Sequence, residues 1–152
     1  MNKRSVNRAA LVIGYGNRLR SDDGAGARVA ERLASDGVAV RVCDQLVPEL
    51  ADDLKGRAVV VFVDAAASSK PGAVAFRRLG AFGAHETPGL THDVGPEALL
   101  SLAERLYGAK PRAFLVTVGA ASFAFGEDLS PPVAAALPEA AALVRRLMGT
   151  AE

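Results

Sequence analysis

Short apolar runs alternate along the chain with segments in which apolar residues recur every three or four positions. The runs predict strands at 9–14, 38–43, 58–64 and 113–119, and a weaker edge strand at 73–78. The periodic segments predict helices at 24–35, 48–54 and 96–107, and from 131 to about 148. This alternation predicts a three-layer α/β/α sandwich around a mostly parallel, twisted sheet of about five strands, with 58–64 at its centre.

The composition argues against several classes of protein. Eighteen basic and 17 acidic residues are scattered along 152 positions, so the sequence has no cluster of basic residues that would bind the phosphates of a nucleic acid. The single cysteine, Cys43, cannot form an internal disulfide, which is typical of a reducing compartment. The apolar stretch near the N-terminus is too short for a signal peptide, and no run approaches the ~18 apolar residues of a membrane span. We expect one cytoplasmic domain, residues 1–152, without nucleic-acid or membrane partners.

Polar residues follow three of the predicted strands, at the edge where ligands gather in parallel sheets. The segment 14–26 (GYGNRLRSDDGAG) follows the first strand, Asp44 follows the second, and Asp64 follows the central one. The glycine-rich stretch 79–95 contains both histidines, His85 and His92, and predicts a long surface loop. This loop could fold over the same edge of the sheet.

The aspartates near these strand ends allow a structural and a functional interpretation. Asp22 and Asp23 could cap the following helix, but one cap accounts for only one of them, so the other is a functional candidate. Asp64 directly follows a run of large apolar residues, where a buried charge is costly unless a cation or hydrogen-bond donors meet it. The structural alternative for Asp64 is a turn cap for residues 65–68.

His92 is the better placed histidine, because it stands three residues before Gly95, where the next helix begins. If Asp23, Asp64 and His92 converge, they offer two oxygens and one imidazole nitrogen to a divalent ion. Such a site could activate water or complete the shell of a metal delivered by a partner. The chain has no His-Glu-x-x-His helix and no Gly-x-Ser-x-Gly elbow, and Cys43 has no adjacent histidine, so covalent catalysis has little support.

Gly14 and Gly16 also suggest a dinucleotide-binding turn, with Asp44 as the acid that holds a ribose. The fingerprint requires a third glycine where this chain has Leu19, and a helix that begins at once. Two aspartates at the expected position of a pyrophosphate would repel it. A small nucleotide-binding module is therefore the weaker interpretation.

The segment 11–34 (LVIGYGNRLRSDDGAGARVAERLA) resembles the opening of the hydrogenase maturation endopeptidases. Their pattern is a strand, Gly-x-Gly-Asn, Leu, Asp-Asp/Glu-Gly-x-Gly and a helix. The similarity continues in the same order through 60–67, 91–108, 116–120 and 129–133, so it covers nearly the whole chain. The resemblance implies that Asp23, Asp64 and His92 are the catalytic residues and contact the metal. Some members have glutamate at the first position, and the shorter Asp23 leaves room for Asp22 to contribute instead.

The resemblance also matches Asp44 to an acid of the family, although Gln45 and Leu46 replace the two glycines that follow it in many members. It implies an endopeptidase that removes the C-terminal extension of a nickel–iron hydrogenase large-subunit precursor after nickel insertion. The implied cofactor is nickel, presented by the precursor and not held permanently. The alternatives are a non-catalytic assembly factor that senses the nickel site, and the nucleotide-binding module. A monomer is the default expectation.

Overall fold

The computed structural model describes residues 9–67, 69–81 and 94–149. In these residues one sheet contains five strands: β1 (Ala10–Tyr15), β2 (Val40–Cys43), β3 (Val59–Ala66), β4 (Val74–Leu79) and β5 (Arg112–Gly119). The α-helices are α1 (Ala25–Ala34), α2 (Pro96–Tyr107) and α3 (Pro131–Gly149), and shorter 3-10 helices span Ser21–Gly24 and Pro48–Leu54. Every predicted strand and helix is present in this part of the chain.

The strands lie in the order β2-β1-β3-β5-β4, and all neighbours are parallel except β4, which runs antiparallel to β5. The predicted central position of β3 and edge position of β4 are therefore confirmed. β2 begins two residues later than predicted, because the N–H of Val38 donates to the carbonyl of Leu33 at 3.2 Å and ends the turn after α1.

Alternate residues of the buried strands face two separate apolar cores. One core lies between the sheet and helices α1 and α3, and the other lies between the sheet and α2 with the Pro48–Leu54 helix. Val12, Val61 and Val63 face the first core, whereas Ile13 and Phe62 face the second, all at 0% exposure. Helices on both faces confirm the predicted three-layer α/β/α sandwich.

None of the helices in the described part of the chain has the length and apolar content that a membrane crossing requires.

Two glycines let α1 approach the sheet closely. A Cβ atom on Gly14 would lie 2.2 Å from the carbonyl oxygen of Gly26, and a Cβ atom on Gly26 would lie 2.2 Å from the carbonyl oxygen of Val63. Both distances are far below van der Waals contact. The contact fixes the N-terminal end of α1 against the carboxyl ends of β1 and β3, where the predicted site residues lie.

We expect Gly26→Ala to lower the free energy of unfolding by about 2 kcal/mol or more, because its methyl group must displace backbone atoms of the central strand. Urea denaturation would measure the loss. Gly80→Ala is the matched control, because nothing lies within 4 Å of the Cβ position at Gly80. Equal stabilities for the two variants would contradict the close-packing argument.

Candidate active site

An open cleft of about 450 Å³ lies at the carboxyl ends of β1 and β3. β2 lies on one side of β1 and β3 on the other, and the connections to them cross opposite faces of the sheet, so this position is a topological switch point. Ligands of open α/β sheets bind in such crevices. The cleft is lined by Tyr15, Gly16, Asp23, Asp44, Gln45, Leu46, Asp64 and Val94.

Asp64 lies on β3, two residues after Phe62, so its half-buried side chain is on the sheet face that packs against α2. Its Oδ1 accepts a hydrogen bond from the N–H of Ala65 at 2.8 Å, and the hydroxyl of Tyr15 donates a second. Burial raises the pKa of Asp64 to about 6, against the lowering effect of these two hydrogen bonds, and the charge of Asp23 raises it further. Asp64 is thus a desolvated carboxylate beside a second acid.

Asp23 reaches the same cleft from the 3-10 helix Ser21–Gly24. Its Oδ2 accepts a hydrogen bond from the N–H of Asn17 at 2.6 Å, which fixes the carboxylate against the first loop. Gly16 permits this arrangement: its φ is 139°, and a Cβ atom there would lie 1.9 Å from the carbonyl oxygen of Asp23. The structure therefore brings Asp23 and Asp64 together at one cleft.

Asp22 points away from the cleft and is fully buried. Its carboxylate accepts hydrogen bonds from the N–H groups of Ala121 at 2.8 Å and Ser122 at 3.0 Å. It also accepts from the N–H of Ser130 at 2.7 Å and from the Ser130 hydroxyl at 2.8 Å. Asp22 therefore joins the loop after β1 to the loop after β5.

Neither acid of the Asp22–Asp23 pair caps the following helix. The N-cap of α1 is Gly24, and no side chain caps either α1 or the preceding 3-10 helix. The capping interpretation was wrong because the following segment begins with a 3-10 turn, which directs one carboxylate towards the loop after β5 and the other towards the cleft.

Asp44 lies at the exposed rim of the cleft, directly after β2. It adjoins Cys43, and burial together with the charge of Asp44 raises the pKa of the Cys43 thiol. A protonated, half-buried thiol is a weak nucleophile, which agrees with the absence of sequence support for cysteine catalysis.

His85 and His92 lie outside the described residues. Val94, two residues after His92 in the sequence, is described and lines the cleft. Within residues 9–67, 69–81 and 94–149, no group of three or more histidine, cysteine, aspartate or glutamate side chains is arranged to hold a metal ion. The predicted set of Asp23, Asp64 and His92 remains a prediction.

Tyr15 is a site residue that the sequence reasoning missed. It is the last residue of β1, and it follows Leu11 and Ile13 on the face towards α2. This alternation is visible in the sequence and assigns Tyr15 to that face, and the register of β1 with β3 places it beside Asp64. In the sequence this position is also the variable residue of the Gly14-x-Gly16 turn.

We expect Asp22→Asn to lower the free energy of unfolding by about 3 kcal/mol at pH 7, because an amide nitrogen would face N–H donors in a buried site. Burial alone raises the pKa of Asp22, but hydrogen bonds from Ser130, Ala121 and Ser122 bring it below its ordinary value. This stability is present above the unfolded pKa of about 3.9 and is lost as the pH falls through the folded pKa.

Urea denaturation between pH 7 and pH 3 would test this expectation. The difference between wild type and Asp22→Asn should shrink at acid pH. Asp36→Asn, which changes an exposed carboxylate paired with Arg145, is the control and should differ from wild type by less than about 0.5 kcal/mol. A constant difference over the whole range would contradict the assigned role of the charge.

Asp64→Asn should have the opposite effect on stability. A raised pKa stabilises the protonated folded state, so its contribution is present below the unfolded pKa of about 3.9 and is lost as the pH rises through about 6. Removing the charge should therefore raise the free energy of unfolding at pH 7.5 by about 1–2 kcal/mol, because partial exposure reduces the full effect.

Urea denaturation at pH 7.5 and pH 4 would measure this gain, which should become small at the lower pH. Asp44→Asn replaces an exposed carboxylate of the same cleft and should change stability by less than about 0.5 kcal/mol at both pH values. A destabilised Asp64→Asn protein at pH 7.5 would show that burial of this charge is fully compensated.

Solved structures of hydrogenase maturation proteases share this architecture. The [NiFe] hydrogenase maturation protease HybD from Thermococcus kodakarensis superposes with a TM-score of 0.72 at 22% identity, over 91% of this chain and 98% of that one. The hydrogenase maturating endopeptidase HybD from E. coli gives a TM-score of 0.69 at 29% identity, over 93% of this chain and 92% of that one.

A hydrogenase 2 maturation peptidase from Thaumarchaeota archaeon SCGC_AB-539-E09 gives a TM-score of 0.65 at 28% identity, over 92% of this chain and 97% of that one. No protein-family model and no curated protein sequence matches the chain. The structural likeness extends over nearly the full length of each protein compared. The chain therefore resembles the [NiFe] hydrogenase maturation proteases over almost its whole length, as its sequence predicts.

Proposed function

We propose that this protein is an endopeptidase that removes the C-terminal extension of a nickel–iron hydrogenase large-subunit precursor after nickel has been inserted. One observation carries the proposal: Asp23 and Asp64 meet in an open cleft at the switch point of a sheet that resembles those of hydrogenase maturation proteases. The proposal includes a cytoplasmic location and a single catalytic domain.

In this proposal Asp23, Asp64 and His92 contact nickel that belongs to the substrate. The chemistry of the described residues fits a divalent cation: two carboxylates share one cleft, and the charge of Asp23 raises the pKa of Asp64. A cation between them would offset this repulsion. Nickel accepts oxygen and imidazole ligands, and a bound metal of this charge can polarise a carbonyl group or a water molecule.

Among the residues that the structure describes, Asp64 is the group best suited to accept a proton from the attacking water. Without a metal its pKa is raised to about 6, near neutral pH, where a general base combines the ionised form with useful proton affinity. A cation bound to the same carboxylate would lower this pKa again. The carboxylate of Asp64 borders the cleft and is held by Ala65 and Tyr15. Asp23 is held by Asn17, so both acids would need little reorganisation when the substrate binds.

The same cleft argues against the nucleotide-binding alternative. Asp23, Asp44 and Asp64 all line it, and this charge would repel a pyrophosphate. The N–H groups of Gly16 and Asn17, which a phosphate-binding turn would offer to its ligand, instead donate to the carbonyl of Cys43 and the carboxylate of Asp23.

The proposal is tested by the intact mass of a nickel-loaded, cognate large-subunit precursor after incubation with this protein. Wild type should remove a defined C-terminal peptide only when nickel is present. Asp64→Asn and His92→Ala should slow cleavage by about 100-fold or more, the size of a lost general base or ligand. His85→Ala, which changes the other histidine of the chain, is the matched control and should cleave at the wild-type rate.

Each outcome separates the alternatives. A precursor that wild type binds but leaves uncut would contradict the catalytic proposal and favour the nickel-sensing assembly factor. Normal cleavage by His92→Ala would show that the three-residue site is wrong while leaving the endopeptidase activity intact.

A further inference from the structure

We infer that Tyr15 is a positioning residue for Asp64, whose carboxylate its phenolic hydroxyl holds in one orientation at the cleft. The consequence for catalysis rests on the function proposed above. The hydrogen bond itself does not, and it can be tested separately.

The strand register places the two side chains together. Gly14 pairs with Val63 across β1 and β3, so Tyr15 and Asp64 follow at the next position of each strand. Both continue the row of side chains that contains Ile13 and Phe62 on the face towards α2. Tyr15 packs against the buried residues of this core, so its ring is fixed by apolar contacts that do not involve the hydroxyl.

Two donors then reach the Asp64 carboxylate from different elements. The N–H of Ala65, on the same strand, donates to Oδ1 at 2.8 Å, and the hydroxyl of Tyr15 donates from the neighbouring strand. A carboxylate with one local donor can still rotate about its side-chain bonds. A second donor, fixed on another strand, restricts that rotation and directs the remaining lone pairs at the cleft.

Other charged side chains of the described residues also affect the phenol of Tyr15. Tyr15 lines the cleft together with Asp23 and Asp64, and besides Asp64 the charges of Glu97 and Arg77 affect its pKa. These two side chains form an ion pair with each other at 3.0 Å. The phenol is a neutral donor at neutral pH. A hydrogen bond from it is stronger to the charged carboxylate of Asp64 than to a neutral acceptor.

A positioning role predicts a specific kinetic pattern. Tyr15→Phe keeps the ring and its packing but removes the hydroxyl, so the binding surface should change little. Loss of one hydrogen bond to a charged group should lower kcat for precursor cleavage by about tenfold or more, with KM within about twofold of wild type.

The chain offers a matched control in its other tyrosine. Tyr107 lies at the end of α2, is 43% exposed and stacks beneath the ammonium group of Lys55, away from the cleft. Tyr107→Phe should leave both kcat and KM unchanged. Thermal unfolding of both variants, followed by circular dichroism, separates a kinetic effect from a loss of folded protein.

A second measurement reports on the hydrogen bond without any substrate. Infrared spectra of protein labelled with carbon-13 at the aspartate carboxyl groups should show a shifted carboxylate stretch when wild type is compared with Tyr15→Phe. The shift should be absent when the same comparison is made in an Asp64→Asn background, because the perturbed carboxylate is then missing.

A lowered kcat together with the Asp64-dependent infrared shift would support the inference. An unchanged kcat, or a decrease that equals the loss of folded protein, would overturn it. If wild type fails to cut any nickel-loaded precursor, the proposed function fails instead, and the infrared comparison still decides: no shift on removing the hydroxyl would overturn the inference.

Discussion

The buried carboxylate of Asp22 joins the loop after β1, which carries Asp23 into the cleft, to the loop after β5. Its hydrogen bonds to Ala121, Ser122 and Ser130 tie the 3-10 helix Ser21–Gly24 to the segment that leads into α3. Ser21 in that helix has a φ of 51°, a conformation that costs about 1 kcal/mol or more for a residue other than glycine. This conformation lets the two carboxylates point to opposite sides of the turn: Asp22 lies in the interior, and Asp23 lies at the cleft.

The carboxylates of Asp22 in this turn and Asp64 on β3 follow opposite electrostatic rules. Asp22 is surrounded by donors, so its charged form is stabilised and its pKa is lowered. Asp64, which lines the cleft, has fewer donors and a neighbouring acid, so burial dominates and raises its pKa to about 6. At neutral pH the charge of Asp22 therefore stabilises the loops, whereas the charge of Asp64 lowers the stability of the fold.

The fold was predictable because each strand is a short apolar run and each helix has a clear period, so the carboxyl ends of β1, β2 and β3 could be located without coordinates. The roles of Asp22 and Asp23 could not be separated in the same way. They differ only in the direction that a 3-10 turn gives them, and Asp22 finds its partners about 100 residues later, at Ser122 and Ser130. Tyr15 differs from these aspartates, because strand alternation assigns it to the face of Leu11 and Ile13. It is also the variable position of a Gly-x-Gly turn, and that motif does not predict a role for the residue.

The likeness of the first loop to a dinucleotide-binding turn has a physical basis. In both cases glycines are needed where a helix packs tightly against a strand, and here Gly14 and Gly26 meet that need. The difference lies at Gly16, whose missing Cβ makes room for the backbone of Asp23 and not for a pyrophosphate. The carboxylate of Asp23 then accepts the N–H of Asn17 that a phosphate would otherwise use. The same close packing that serves an anion site elsewhere thus presents a fixed negative charge here, which suits a cation carried by a substrate.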